Sequence, residues 1–222
     1  MIKPKTFAIY CSEGASRVIK FYAVNENLER YKPLKVIYDG SRKEVLDKLT
    51  ELFQGDLVVF DKSSELYNPK RIHNSTSEFI QKTLLEYSVD YLLCFGDKIL
   101  KKGLISLYQK RLINFHPSLL PSFKGLLGIN QSLDYGVSVL GNTAHYIDEG
   151  VDTGEIILQT AMLSEEFEDY EDVLEMQLPM IKMILRDIVG YNISDDVLFK
   201  ELSNRNKKIL IPRKCRIRSP QS

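Results

Sequence analysis

Apolar residues recur along this chain in two rhythms. TFAIYCS (Thr6 to Ser12), LKVIYDG, DLVVFD, DYLLCFG (Asp90 to Gly96) and RLINFH are short continuous apolar runs, the pattern of strands covered on both faces. Between them, RVIKFYAVNENLERY, SRKEVLDKLTELF, NSTSEFIQKTLLEYSV and the short LISLYQK repeat their apolar positions at helical spacing. For the second of these, Ser41 reads as the cap, with Glu44 three residues on. Strands alternating with helices predict an α/β fold built on a doubly wound, mostly parallel sheet. Farther on, GNTAHYID and EIILQTAML predict two more strands, antiparallel neighbours around the loop EGVDTG. EDYEDVLEMQLPMIKMILRDIV then predicts one long closing helix, kinked at Pro179.

Composition narrows this picture without redirecting it. The 222 residues suit one large domain, placed at residues 1–204, followed by a basic tail at 205–222. No apolar run reaches membrane-spanning length, and the first residues, MIKPKTFAIYCSEG, lack a secretory hydrophobic region. Cys11, Cys94 and Cys215 are far apart, and two lie in apolar runs. They read as reduced, buried thiols of a cytoplasmic protein. Formal charge is zero, so no nucleic acid or anionic membrane is expected as a partner. The one asymmetry is the tail, where seven basic residues and no acidic one lie between Arg205 and Arg218. It reads first as a solvated tail, with a flap over a phosphorylated substrate or a nucleic-acid arm as the alternatives.

Candidate chemistry begins at INFHPSLLPSFKG (Ile113 to Gly125). Asn114 and His116 alternate with Ile113 and Phe115, so both emerge on one face of a strand that Pro117 ends. Ligands of open α/β sheets sit at such strand ends. His145 follows His116 by 29 residues, on a strand face with Thr143 and Ile147, and Asp152 lies seven residues farther, in Gly150-Val151-Asp152-Thr153-Gly154. Glycines at both ends of that loop suit a sharp turn and close approach to a ligand. Asn114, His116, His145 and Asp152 lack the local spacing of a zinc site, so no metal is expected.

The pattern N-x-H-P-S-L-L-P, then the second histidine, then D-x-G, resembles the folate-dependent formyltransferases, most closely the glycinamide ribonucleotide branch. The resemblance is dense from about Asp90 to Gln159. It implies a Rossmann-like sheet with a C-terminal helix, and transfer of a formyl group from 10-formyltetrahydrofolate, as co-substrate, to a primary amine. On this resemblance Asn114 donates to the oxyanion and His116 shares that role when protonated. Asp152 orients a water and relays the amine's proton, and His145 braces the Asp152 loop. The folate is expected at Lys98, Ile99 and Leu100 and at Ile147, Asp148, Glu149, Gly150 and Val151.

The acceptor half departs from the family. Gly14, Ala15 and Ser16 stand where the resemblance expects a glycine-rich phosphate loop, but Glu13 precedes them. The family's acceptor-contacting acid falls near Gln177. The expected acceptor is therefore a small phosphorylated or nucleotide-linked amine, in amino sugar or purine biosynthesis. The alternatives are glycinamide ribonucleotide itself and, with a different acceptor, a formyltetrahydrofolate deformylase, whose relatives carry an N-terminal regulatory domain with no room before Thr6. A non-catalytic folate-binding or nucleic-acid-binding protein is the remaining rival. The resemblance leaves monomer and homodimer both open.

Overall fold

In the computed structural model, residues 4–23 and 31–193 are described. Cys215, the tail at 205–222 and the later part of the first predicted helix lie outside or partly outside them. The seven strands form one sheet in the order β3-β2-β1-β4-β5-β6-β7, mostly parallel with flanking helices, as the alternation predicts. The described residues divide into two compact units, one within 5–113 and 147–149, the other of residue 4, 114–146 and 150–193.

The first unit holds β1 (Phe7–Cys11), α1 (Ser16–Ala23), β2 (Lys35–Tyr38), α2 (Lys43–Phe53), β3 (Leu57–Val59), α3 (Ile72–Glu86), β4 (Tyr91–Phe95) and α4 (Lys102–Leu107). Parallel ladders set Ile9 beside Val36 on one side and Leu93 on the other. All five residues of β1 are buried, which is why their sequence runs apolar without alternation. Ala8, Tyr10, Ile37, Leu92 and Cys94 share a core with Ile80 and Leu84 of α3 and Leu104 and Ile105 of α4. Tyr22 of α1 meets Phe53 of α2 edge to face. The cap expected at Ser41 is absent. Helix α2 starts at Lys43 behind Arg42 with no side-chain cap, and Ser41 Oγ instead accepts from Lys62 Nζ at 2.8 Å. Cys11 and Cys94 are free and buried, and burial pushes both thiols well above their ordinary pKa.

β5 (Leu112–His116) starts in the first unit and ends in the second. The second unit continues with α5 (Gly128–Tyr135), β6 (Val139–Tyr146), β7 (Ile156–Leu163), α6 (Tyr170–Glu175) and α7 (Gln177–Ile184). β6 and β7 pair antiparallel, with a register shift between Ala144 and His145. Ile147 lies beyond that strand and packs on the Leu100 core instead of sharing a face with Thr143 and His145. The predicted single closing helix is two helices broken at Met176. Pro179 has no N–H for the Glu175 carbonyl and its ring crowds that group, so the chain restarts with Pro179 in a first turn. Asp169 caps α6, its carboxylate accepting from the Glu171 and Asp172 N–H groups. No helix among the described residues is long and apolar enough to cross a membrane.

Candidate active site

Strand period places Asn114 and His116 on one face at the end of β5, and Pro117 then turns the chain away. The following loop is held to β6 and β7. Thr143 Oγ1 donates to the Ser118 carbonyl at 2.7 Å and accepts the Leu120 N–H at 3.0 Å. Gln159 Nε2 donates to Thr143 Oγ1 at 2.9 Å and to the Leu120 carbonyl at 3.0 Å. Thr143 and Gln159 drew no attention as site residues in the sequence, yet they fix the loop that carries two of the site's backbone groups.

Asp152 is the hub. Its Oδ1 lies 3.4 Å from both Asn114 Nδ2 and His145 Nε2. Its Oδ2 lies 3.4 Å from His116 Nδ1 and accepts the Gly125 N–H at 2.8 Å. All four polar side chains expected from the sequence are thus brought together. Asp152 itself takes the left-handed backbone conformation, φ 50°, which aspartate tolerates better than most residues. The glycines beside it are also needed for space. A Cβ on Gly150 would lie 2.1 Å from Thr153 Oγ1, and one on Gly154 would lie 1.7 Å from the Tyr146 carbonyl oxygen.

Backbone carbonyls place one ring proton on each histidine. A carbonyl only accepts, so His145 Nδ1–H donates to Tyr146 O at 2.9 Å. Its Nε2 lies 3.3 Å from Asn114 Nδ2 and 3.4 Å from Asp152 Oδ1. His116 Nε2–H donates to the Phe123 carbonyl at 2.8 Å, and in this arrangement Nδ1 faces the Asp152 carboxylate. Burial alone would raise the pKa of Asp152. The His145 hydrogen bond, the Gly125 N–H and the charge of both histidines outweigh it and hold the carboxyl below its ordinary value.

The other expected positions fare unevenly. Gln177 is only 1% exposed, and its Nε2 donates to Asn142 Oδ1 at 2.8 Å. Ser16 opens α1, Gly14 has open space around it, and Ala15 is left-handed at φ 42°. The Glu13 carboxylate lies 3.8 Å from Arg42 Nε, both exposed. In the first unit, Ile99 is 47% exposed, whereas Leu100 is 6% exposed and fills the core beside Ile147. Lys98 is paired with Asp97, and Glu149 with Lys102 at 3.3 Å. Val151 is exposed. No group of three or more His, Cys, Asp or Glu side chains among the described residues is placed to hold a metal ion.

The sheet is mostly parallel, the Asn–His–His–Asp cluster gathers near the end of β5, and comparison with known proteins identifies a one-carbon group transferase. The model of the formyl transferase family matches residues 20–178, well over half the chain, and the chain belongs to that family. It is 27% identical over 197 residues to the phosphoribosylglycinamide formyltransferase of Bacillus subtilis (strain 168), covering 85% of this chain and 96% of that one. It is 40% identical over 96 residues to the human trifunctional purine biosynthetic protein adenosine-3, which is 41% of this chain and 10% of that one. The crystal structure of phosphoribosylglycinamide formyltransferase from Bacillus halodurans superposes with a TM-score of 0.59 at 27% identity, covering 90% and 96% of the two chains. The chain is a 10-formyltetrahydrofolate-dependent N-formyltransferase, taking folate and a small acceptor.

Proposed function

We propose that Asn114 and Asp152 carry the chemistry, and that the acceptor is a small phosphorylated or nucleotide-linked primary amine. The convergence of Asn114, His116 and His145 on the Asp152 carboxylate carries this reading. The acceptor amine attacks the formyl carbon, and the carbonyl oxygen gains negative charge. Asn114 Nδ2, whose present contacts of 3.3 and 3.4 Å are long, exchanges one of them for that oxyanion. Asp152, a carboxylate at neutral pH, takes the proton that the attacking nitrogen sheds. Collapse of the intermediate breaks the bond from the formyl carbon to N10 of the folate, and the relayed proton ends on N10. No nucleophilic serine or cysteine is required. His116 and His145 hold the carboxylate in place, and Ile99 with the backbone at 147–149 contacts the pterin.

A second reading takes phosphoribosylglycinamide itself, the substrate in its relatives' names, as the acceptor. Glu13 at the turn before α1 and the burial of Gln177 weigh against it, since one repels a phosphate and the other withdraws an acceptor contact. Steady-state kinetics on a panel of amines tests this. Phosphoribosylglycinamide is expected to give a kcat/KM below about 10⁴ M⁻¹s⁻¹, the low end of ordinary enzymes, while another amine exceeds it. A value above that for phosphoribosylglycinamide makes the second reading the correct one. Turnover of 10-formyltetrahydrofolate at the same rate without any amine would make the chain a deformylase.

A further inference from the structure

The third histidine, His73, takes no part in the cluster around Asp152. It lies in the first turn of α3, one helical turn before Ser77, so the two side chains stand on the same helix face. Both hold the stretch that leads from β4 into α4. The Ile99 N–H donates to His73 Nδ1 at 3.2 Å, and the Lys101 N–H donates to Ser77 Oγ at 3.0 Å. Ser77 Oγ spends its own proton on the His73 carbonyl at 2.6 Å, which frees its lone pairs for Lys101.

The match is geometric. Residues i and i+2 of an extended chain point their N–H groups to the same side, about 6.6 Å apart. Side chains one turn apart on a helix are spaced by about 5–6 Å. Between the two anchored amides, Leu100 drops into the core with Leu104 and Ile147. At the front of the stretch, the Asp97 N–H donates to Ser12 Oγ at 3.3 Å. The segment is thus pinned on both sides of Ile99, and the Ile99 side chain is left 47% exposed.

We propose that His73 is a positioning residue for the donor, holding Ile99 in its binding conformation through an acceptor at Nδ1. This rests on the reading that Ile99 contacts the pterin. The ring matters only for the lone pair it places there. Asparagine carries Oδ1 at the same point of its side chain and can replace it. Leucine fills similar space without an acceptor and leaves the Ile99 N–H unpaired.

The test uses the full chain with His73→Leu, His73→Asn and Ser77→Ala. It measures donor KM, acceptor KM, kcat, and the Kd of tetrahydrofolate by titration. His73→Leu is expected to raise donor KM and tetrahydrofolate Kd by roughly tenfold, the scale of one lost hydrogen bond, with kcat and acceptor KM within about twofold. Ser77→Ala, which removes the neighbouring anchor, is expected to show the same split, and it keeps the test open if the leucine variant does not fold. His73→Asn is expected to return within about threefold of wild type. Equal defects in His73→Asn and His73→Leu, or a fall in kcat at constant donor KM, would overturn the proposal. If wild type binds tetrahydrofolate and neither His73→Leu nor Ser77→Ala weakens it, this inference alone fails. If wild type does not bind tetrahydrofolate, the donor-site reading fails and takes this inference with it.

Discussion

Asp152→Asn is expected to lower turnover by at least about a hundredfold while leaving the fold intact, and Asn114→Ala to do the same. An amide at 152 keeps an acceptor oxygen for the Gly125 N–H, whose bond to Oδ2 is 2.8 Å, so the loop keeps one anchor. What it loses is the negative charge facing His116 and His145, and with it the ability to accept the amine's proton. Asn114→Ala removes the donor that would meet the oxyanion, a loss on the order of 10²–10³ in kcat for comparable sites. Single-turnover rates beside circular dichroism of each variant check both. A turnover within about fivefold of wild type in either one would remove that residue from the chemistry.

The same carboxylate sets a pH expectation. Its folded pKa is depressed, so the base form persists below the ordinary carboxylate range of about 4. Any fall in kcat/KM between about pH 5 and 7 should therefore survive in Asp152→Asn at its lower rate, because another group causes it. The stability contributed by this carboxylate is complete above its unfolded value, near 3.9, and is lost as pH falls through the lower folded value. Denaturation midpoints of wild type and Asp152→Asn should differ by a constant amount above about pH 4, and the difference should shrink below it.

The legible parts of this molecule were those in which side-chain identity carries the physics. Continuous apolar runs marked β1 and β4 because both faces of those strands are covered. The Asn114, His116, His145 and Asp152 set was legible because chemistry demands those side chains, and the fold does bring them onto one carboxylate. Backbone groups carry no such signature. The Phe123 carbonyl that claims His116 Nε2 and the Gly125 N–H that claims Asp152 are peptide atoms any residue would supply, so these two contacts were invisible. Gln177 is a different case. It was singled out by its place in the family pattern, which says nothing of burial, and the break that Pro179 forces at Met176 restarts the helix with Gln177 inside, where Asn142 takes its amide. Ser41 has the right type and spacing for a cap. Helix α2 nevertheless begins two residues later, and Lys62 claims its hydroxyl.

The glycines of the Asp152 loop lead to the second large effect, on stability as well as rate. Gly154→Ala is expected to destabilise the chain by about 3 kcal/mol, the upper range of overpacking, and to lower turnover beyond what the lost stability explains. The added Cβ would sit 1.7 Å from the Tyr146 carbonyl oxygen and 2.8 Å from its carbon, distances that only a backbone shift can relieve. That same carbonyl accepts the His145 Nδ1–H at 2.9 Å, and the Tyr146 N–H is bonded to the Glu155 carbonyl at 2.9 Å. Moving it therefore releases the tautomer of His145, whose Nε2 faces both Asn114 and Asp152. For a chain of this size, 3 kcal/mol corresponds to roughly 6–12 °C in Tm. Gly55→Ala is the matched control, because nothing lies within 4 Å of a Cβ placed there. Thermal unfolding of the two variants, followed by rates measured well below both midpoints, separates the effects. An unchanged Tm in Gly154→Ala would show that the loop yields without cost. A lowered Tm with wild-type turnover would show that the position of the Tyr146 carbonyl does not govern His145.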